Sequence, residues 1–315
     1  MGKHNYIAVG ALGLVLLVLP LVLPSSYYLG VAVFVGLHAL IVLGLSLLMG
    51  YAGQISLGHA GFFAIGAYAS GLLTTRAQWP PLLAVLAAIL LAAGIALLIG
   101  TPSLRLRGHY LAMATLGFGQ IVYVVATATV GLAGGPSGFG GIPKLGVGGW
   151  VIASPLARYY TTWVVVLGVL VFSLNLIHSR VGRALRSIHG SEVAANAMGV
   201  HTARYKIQVF VLSAMYAALA GSLYAHFVTY VSPSACDLNL SILLVTMVVV
   251  GGISSLWGAL IGAILLGVLP EFLRTLKDYD ILFYGLILLL ILMFAPEGLW
   301  GLMKKIRQIK YRIAR

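Results

Sequence analysis

The sequence predicts an all-α, polytopic transmembrane bundle of about ten crossings with broken or re-entrant segments, and three observations carry that prediction. The chain is 61% hydrophobic, only 8% of its 315 residues are charged, and its apolar residues fall in runs long enough to cross a bilayer. A soluble domain carries about 25% charged residues. Six acidic side chains cannot keep a chain of this length in water. The surplus apolar surface must therefore meet lipid.

Taken in order, the runs 6–23, 28–49, 55–75, 82–100, 109–130, 159–178, 204–228 and 281–297 each approach the 20 or so residues of one helical crossing. The opening "MGKHNYIAVGALGLVLLVLPLVLP" has the single Lys3 of a signal peptide. Its apolar run is too long for one and no A-x-A site follows, so it reads as a retained first span. The stretch 241–270 is too long for one crossing and is interrupted by "GGISS" at 251–255, which predicts a break between two helices. "GQISLGHAGFFAIGA" (53–67) and "GGISSLWGALIGA" (251–263) echo one another. Gly-interrupted segments in two halves of a membrane chain point to two pseudo-repeats around a transport pathway. The whole of 1–315 reads as a single integral-membrane domain.

Between the spans, 131–158 is too rich in Gly and Pro for a helix and reads as an external loop, as does the shorter 228–241 with Pro233 and Asp237. The net charge of +13 is explained by topology. Arg180, Arg183, Arg186, Arg204 and Lys206 crowd a central insert, Arg105 and Arg107 flank another run, and Lys304, Lys305, Arg307, Lys310, Arg312 and Arg315 fill the tail 303–315. Basic residues gathered in short loops beside spans mark the cytoplasmic face, so the insert 179–203, the basic tail and both termini are expected there, and no nucleic-acid partner is needed.

Several chemistries have no residues to perform them. No G-x-x-x-x-G-K-[ST] loop is present to cradle a nucleotide, and no H-E-x-x-H; the eight histidines have no carboxylates at metal-ligand spacing. Cys236 is the single cysteine, so no intrachain disulfide forms. Glu192, Asp237, Glu271, Asp278, Asp280 and Glu297 all fall in loops or at helix ends. An ion-coupled carrier normally keeps a carboxylate within the membrane. His59 stands without a catalytic partner, and neither a catalytic residue, a metal site nor a cofactor is expected. The chain reads as a channel or carrier whose energy, if it uses any, arrives from another protein.

The insert "RVGRALRSIHGSEVAANAMGVHTARYK" is where such a contact can form. Ser191 is placed to cap a short helix, Glu192 suits its positive end, and Gly199 suits a left-handed exit. Val193, Ala197 and Met198 are expected to face inward, with Ala194 and Ala195 allowing close approach.

That insert, continued through "IQVFVLSAMYAALAGSLYAH", resembles the cytoplasmic loop of branched-chain amino acid ABC permeases of the LivM type. "GYAGQISLGHAGFFAIGAYASGLL" (50–73), "GGISSLWGALIGAILL" and "FAPEGLWG" resemble the same family, in the same order, from about residue 30 to 302. The E-A-A-x-x-x-G core falls on Glu192, Ala194, Ala195 and Gly199. The chain departs from the family where His189, Gly190 and Ser191 replace more polar residues. The resemblance implies a permease subunit in the cell (inner or plasma) membrane, paired with a second related permease as a heterodimer. Two cytoplasmic ABC ATPase subunits would dock on Ser191, Glu192, Ala194, Ala195 and Gly199, flanked by Arg183 and Arg186. A periplasmic or surface-anchored solute-binding protein would deliver cargo.

For a pathway the residues themselves offer Gln54, Ser56, Gly58 and His59 in the first broken segment, Ser254, Ser255 and Trp257 in the second, and Gln120, Tyr123 and Thr127 on one helical face. Hydroxyls and amides at such positions also serve to bond neighbouring helices. Low charge suits a neutral or zwitterionic solute. Leucine, isoleucine and valine are the cargo the resemblance implies; urea, short amides or other amino acids within the family, and an ATP-independent facilitator, are the alternatives.

Overall fold

The computed structural model describes residues 3–22, 25–104, 106, 108–147, 150–273, 280–295, 298–302 and 305. The chain is an all-α polytopic bundle: α1 (Lys3–Val22), α2 (Ser26–Ser46, continued by a π-turn Leu47–Tyr51), α3 (His59–Thr75), α4 (Pro81–Ser103), α5 (His109–Ala128), the short α6 (Val130–Ala133), α7 (Pro155–His178), α8 (Arg180–Gly190), α9 (Glu192–Ala197), α10 (Thr202–Val228), α11 (Leu238–Gly251), α12 (Leu256–Leu273) and α13 (Asp280–Phe294). Among the described residues, eight helical segments are long and apolar enough to cross a membrane. The apolar α3 and α13, at 17 and 15 residues, bring the long apolar helices among the described residues to the ten expected. Asp278, Glu297, Arg105, Arg107 and all of the basic tail except Met303–Arg315's Lys305 lie outside the described residues.

Local chemistry sets the boundaries. Ser25, Ser154 and Asp237 accept from the amides of Tyr27, Ala157 and Leu240 and so start α2, α7 and α11. Pro81 and Pro155 sit in the first turn, where the missing N–H costs nothing. As a result α7 begins at Pro155, four residues earlier than the sequence predicts, and residues 155–158 belong to it and not to the external loop.

Burial is inverted relative to a soluble protein. Leu14, Leu21, Leu90, Leu98 and Phe272 are exposed on the flanks, as a lipid-facing surface requires. The centre is α2, which is buried along most of its length against α7, α10, α11 and α12. Without a hydrophobic drive between helices in lipid, close packing falls to small residues. A Cβ on Gly66 would stand 2.1 Å from the Ala218 carbonyl oxygen, and one on Gly221 would stand 1.9 Å from that of Phe63, so α3 and α10 touch backbone to backbone. Gly251, Gly258 and Gly262 close the α11–α12 hairpin in the same way.

The bundle has two distinct ends. At one, the two predicted outer loops meet: β1 (Phe139–Gly140) pairs antiparallel with β4 (Tyr230–Val231), while β2 (Gly146–Val147) and β3 (Trp150–Val151) form a small hairpin. His226 fastens this lid: its Nδ1 donates to the Pro143 carbonyl oxygen (2.7 Å), and its Nε2 pairs with Ser70 Oγ (2.7 Å). At the other end lie the end of α2, the start of α5, the α11–α12 break, α8 and α9. Because Tyr159 near the start of α7 donates to the Leu16 carbonyl oxygen at 2.8 Å, α1 runs antiparallel to α7 and begins at the α8–α9 end.

Candidate functional site

The predicted insert folds as two helices. Ser179 accepts from the Val181 amide at 3.1 Å and starts α8, which buries Gly182, Leu185 and Ile188 and turns Arg180, Arg183 and Arg186 outward. The sequence predicts a helix only from Ser191 onward, so α8 is an addition. Its signal was the pair of three-residue spacings, one apolar and one basic, offset along the same turns. Ser191 accepts from the Ala194 amide at 3.2 Å, and Gly199 leaves α9 with φ +81°, both as the sequence predicts.

The orientation of α9 differs from that expectation. Ala195 is the buried residue of the helix, while Val193 (69% exposed), Ala197 and Met198 (84% exposed) point away from the bundle and Ala194 is exposed too. The reason is in the flanking residues. The Val200 amide donates to the Ala195 carbonyl oxygen at 3.0 Å, and Glu192 is drawn toward α10, where Lys206 Nζ donates to its Oε1 at 2.8 Å. Thr202 Oγ1 lies 3.5 Å from the same carboxylate and 3.1 Å from Asn196 Oδ1. Lys206 is itself buried and also meets the Leu104 carbonyl oxygen at 3.5 Å. Glu192 thus does more than complement the helix dipole: it latches α9 to the first turns of α10. A buried lysine in a basic loop has no sequence signature: in the sequence, Lys206 is one more positive charge among its neighbours.

The first broken segment is not one continuous helix over 55–75. After the π-turn, Gly53 takes φ +68°, residues 53–58 form no regular secondary structure, and α3 begins only at His59. Non-helical backbone inside a membrane bundle must find partners in protein. Here Leu57 N–H donates to Thr115 Oγ1 of α5 (3.0 Å) and Ala60 N–H to Ser241 Oγ of α11 (3.2 Å). His59 joins Ser213 Oγ of α10 (2.6 Å) to Ser56 Oγ (3.3 Å), and Gly58 packs where a Cβ would stand 2.6 Å from the Thr115 carbonyl oxygen. Ser56 and His59 are about 1% exposed, so in this conformation they fasten the break and line no open path. Thr115, Ser213 and Ser241 are the residues the sequence reading missed; single hydroxyls within apolar runs were their only signal.

The second break is a tight turn. Gly252 has φ +119°, Ser255 is buried and accepts from the Gly258 amide at 3.3 Å, Ser254 is exposed and Trp257 is half-buried. The two breaks abut: a Cβ on Gly50 would stand 1.9 Å from the Ile253 carbonyl oxygen. Gly298, from "FAPEGLWG", packs on Gly252 from the other side.

Gln54 and Gln120 differ from the rest. Gln54 is 4% exposed, and neither of its amide atoms has a hydrogen-bond partner. Gln120 lies on the outer surface of α5, on the face it shares with exposed Met113, Val124 and Ala128. Tyr123 is half-buried beside that face, and Thr127 spends its hydroxyl on the Tyr123 and Val124 carbonyls of its own helix. The candidates therefore divide into an enclosed break, a buried amide near the insert and an outward polar face on α5.

A family model described as the branched-chain amino acid transport system/permease component matches residues 27–295. The chain is 34% identical over 292 residues, covering 85% of this chain and 69% of that protein, to the high-affinity branched-chain amino acid transport system permease protein LivM of Escherichia coli (strain K12). It is 27% identical over 285 residues to the corresponding LivH protein of Salmonella typhimurium, with 84% and 91% covered. It is also 23% identical over 321 residues to a probable branched-chain amino acid transport permease protein LivM of Methanocaldococcus jannaschii, with 84% and 90% covered. No solved structure matches the chain significantly.

Proposed function

The chain belongs to the family of branched-chain amino acid transport permease components, and from that premise we propose that α8 and α9 form the cytoplasmic surface on which ABC ATPase subunits dock. The observation that carries this reading is the outward face of α9. Val193 and Met198 stand exposed on a short helix outside the apolar bundle, beside Ala194 and the positive-φ Gly199, with Arg183 and Arg186 exposed on the preceding helix. Apolar side chains presented in water at such a place call for a protein cover. The latch to Lys206 ties that cover to α10, so a push on α9 is delivered to a helix that packs along α3 and α2. Both termini and the basic tail lie on the cytoplasmic side in this reading, and the subunit sits in the cell membrane, the inner one where there are two.

The outward face of α5 packs against a second, related permease. An amide such as Gln120 is unfavourable against hydrocarbon and finds a use at a subunit interface or in a polar path. A path between the two subunits passes Gln120 and Tyr123, with branched-chain amino acids as the cargo. At the opposite end, the β1–β4 lid is the docking surface for a solute-binding protein that delivers them.

Co-purification tests the assignment. An ATPase subunit expressed with the chain is expected to be retained by the wild type and lost on Gly199→Asp or Glu192→Lys, while the permease stays folded. Uptake by vesicles that hold this chain alone, without ATP, would instead make it a facilitator.

A further inference from the structure

A cavity of about 140 Å3 opens at the α8–α9 end, between the start of the extended segment, α5, α8 and α10. It is separate from the outward face of α5 and borders the latch, and three observations mark it as built. Gln54, more than nine-tenths buried, lines it with both amide atoms unpartnered. Lys206 and Glu192, of opposite charge, share its wall. Leu111 and Ile188, both apolar, with Ile188 buried, form the other side, while Gly53, Gly108 and His189 at the rim are exposed. A buried amide left without partners is costly, so its retention in an apolar bundle needs a use.

We propose that this cavity is an inner-end binding site for a free zwitterionic amino acid, distinct from the path along α5. The chemistry selects that class. Among the described residues, the lining pairs one positive side chain with one negative one, a combination that disfavours a simple anion or cation. The Gln54 amide offers one donor and one acceptor side by side. A ligand carboxylate takes hydrogen bonds from Gln54 Nε2 and Lys206 Nζ, and its ammonium group gives them to Gln54 Oε1 and Glu192. The apolar side takes a short aliphatic side chain. A cavity of about 150 Å3 encloses a solute of about six heavy atoms, and this one is open at the rim of Gly53, Gly108 and His189, so it takes the charged groups and part of the side chain of a small amino acid and cannot take a nucleotide. A ligand that engages both latch residues bears directly on α9, so amino acid accumulated inside loosens the docking helix and slows further import. The inference rests on reading the α8–α9 end as the cytoplasmic one and the cargo as an amino acid.

The test uses the full chain in lipid nanodiscs, with thermal unfolding and equilibrium dialysis as readouts. Millimolar L-leucine is expected to raise the unfolding midpoint by several degrees, whereas 4-methylpentanoate, isopentylamine and acetamide, which lack one or both charges, are not. Gln54→Met is expected to unfold at an equal or higher temperature than the wild type, because two orphaned polar atoms are gone, yet to lose leucine binding at least tenfold. Gln54→Asn, which withdraws the amide by one methylene, is expected to weaken binding several-fold and serves if the methionine variant does not fold. Equal binding by both variants and the wild type, no leucine shift at all, or equal shifts from acetamide or 4-methylpentanoate would each overturn the proposal. Gln120→Leu separates the two readings: it is expected to impair uptake by the assembled transporter while leaving leucine binding at this cavity intact.

Discussion

Replacing Lys206 by methionine removes a charged partner of Glu192, and the structure allows the consequence to be sized. The ion pair spans 2.8 Å, with the lysine side chain 7% exposed and the glutamate 23% exposed. Removing one partner of a fully buried pair costs about 3–5 kcal/mol, because the other charge is left without compensation. Since water reaches nearly a quarter of Glu192, about 2 kcal/mol is the appropriate scale, and it falls on the seating of α9 more than on the whole bundle. At about 1.4 kcal/mol per factor of ten, local opening of α9 then rises about 30-fold. Hydrogen exchange read by mass spectrometry on peptides covering 190–201 measures this directly, with peptides from α3 as an internal standard. The double variant Glu192→Met/Lys206→Met discards both charges together, and its exchange should fall back toward wild type. If Lys206→Met left exchange across α9 unchanged, or if the double variant showed the simple sum of the two single effects, the latch would be a chance proximity of two neighbours and not a coupling.

Three further outcomes follow from the packing. Gly221→Ala pushes a methyl into the Phe63 carbonyl oxygen, and backbone cannot step aside as a side chain could; a loss of about 1–3 kcal/mol is expected in detergent thermal unfolding, and an unchanged midpoint would refute the close α3–α10 contact. Ser213→Ala deprives buried His59 of its 2.6 Å partner and should cost about 1–3 kcal/mol, against almost nothing for Ser234→Ala at the exposed Ser232–Ser234 pair. His226→Leu cuts the tie from Ser70 through the imidazole to Pro143, so limited proteolysis should gain a cleavage within 131–153 while the helices stay intact; a wild-type digestion pattern would show that the lid does not depend on it.

The length and spacing of the apolar runs determined the helices. A bilayer leaves few alternatives to a hydrogen-bonded helix once some 20 apolar residues follow one another, and α1, α2, α4, α5, α7, α10 and the interrupted α11–α12 pair all lie close to their expected bounds. Capping was legible for the same reason: Ser191 and Gly199 act through backbone groups a few residues away, within reach of local sequence. The four signature stretches carried the family.

What only the tertiary structure decided was everything set by a partner distant in the chain. The outward turn of Val193 and Met198 follows from where Lys206 draws Glu192, and the non-helical course of 53–58 is sustained by Thr115 and Ser241, from helices the sequence places far away. An apolar helix in lipid has no polar face to announce which side is buried, so its sequence fixes that it spans and leaves open what it faces. Orientation, the meeting of the two breaks at Gly50 and Ile253, and the isolation of Gln54 in its cavity arise only when the helices pack.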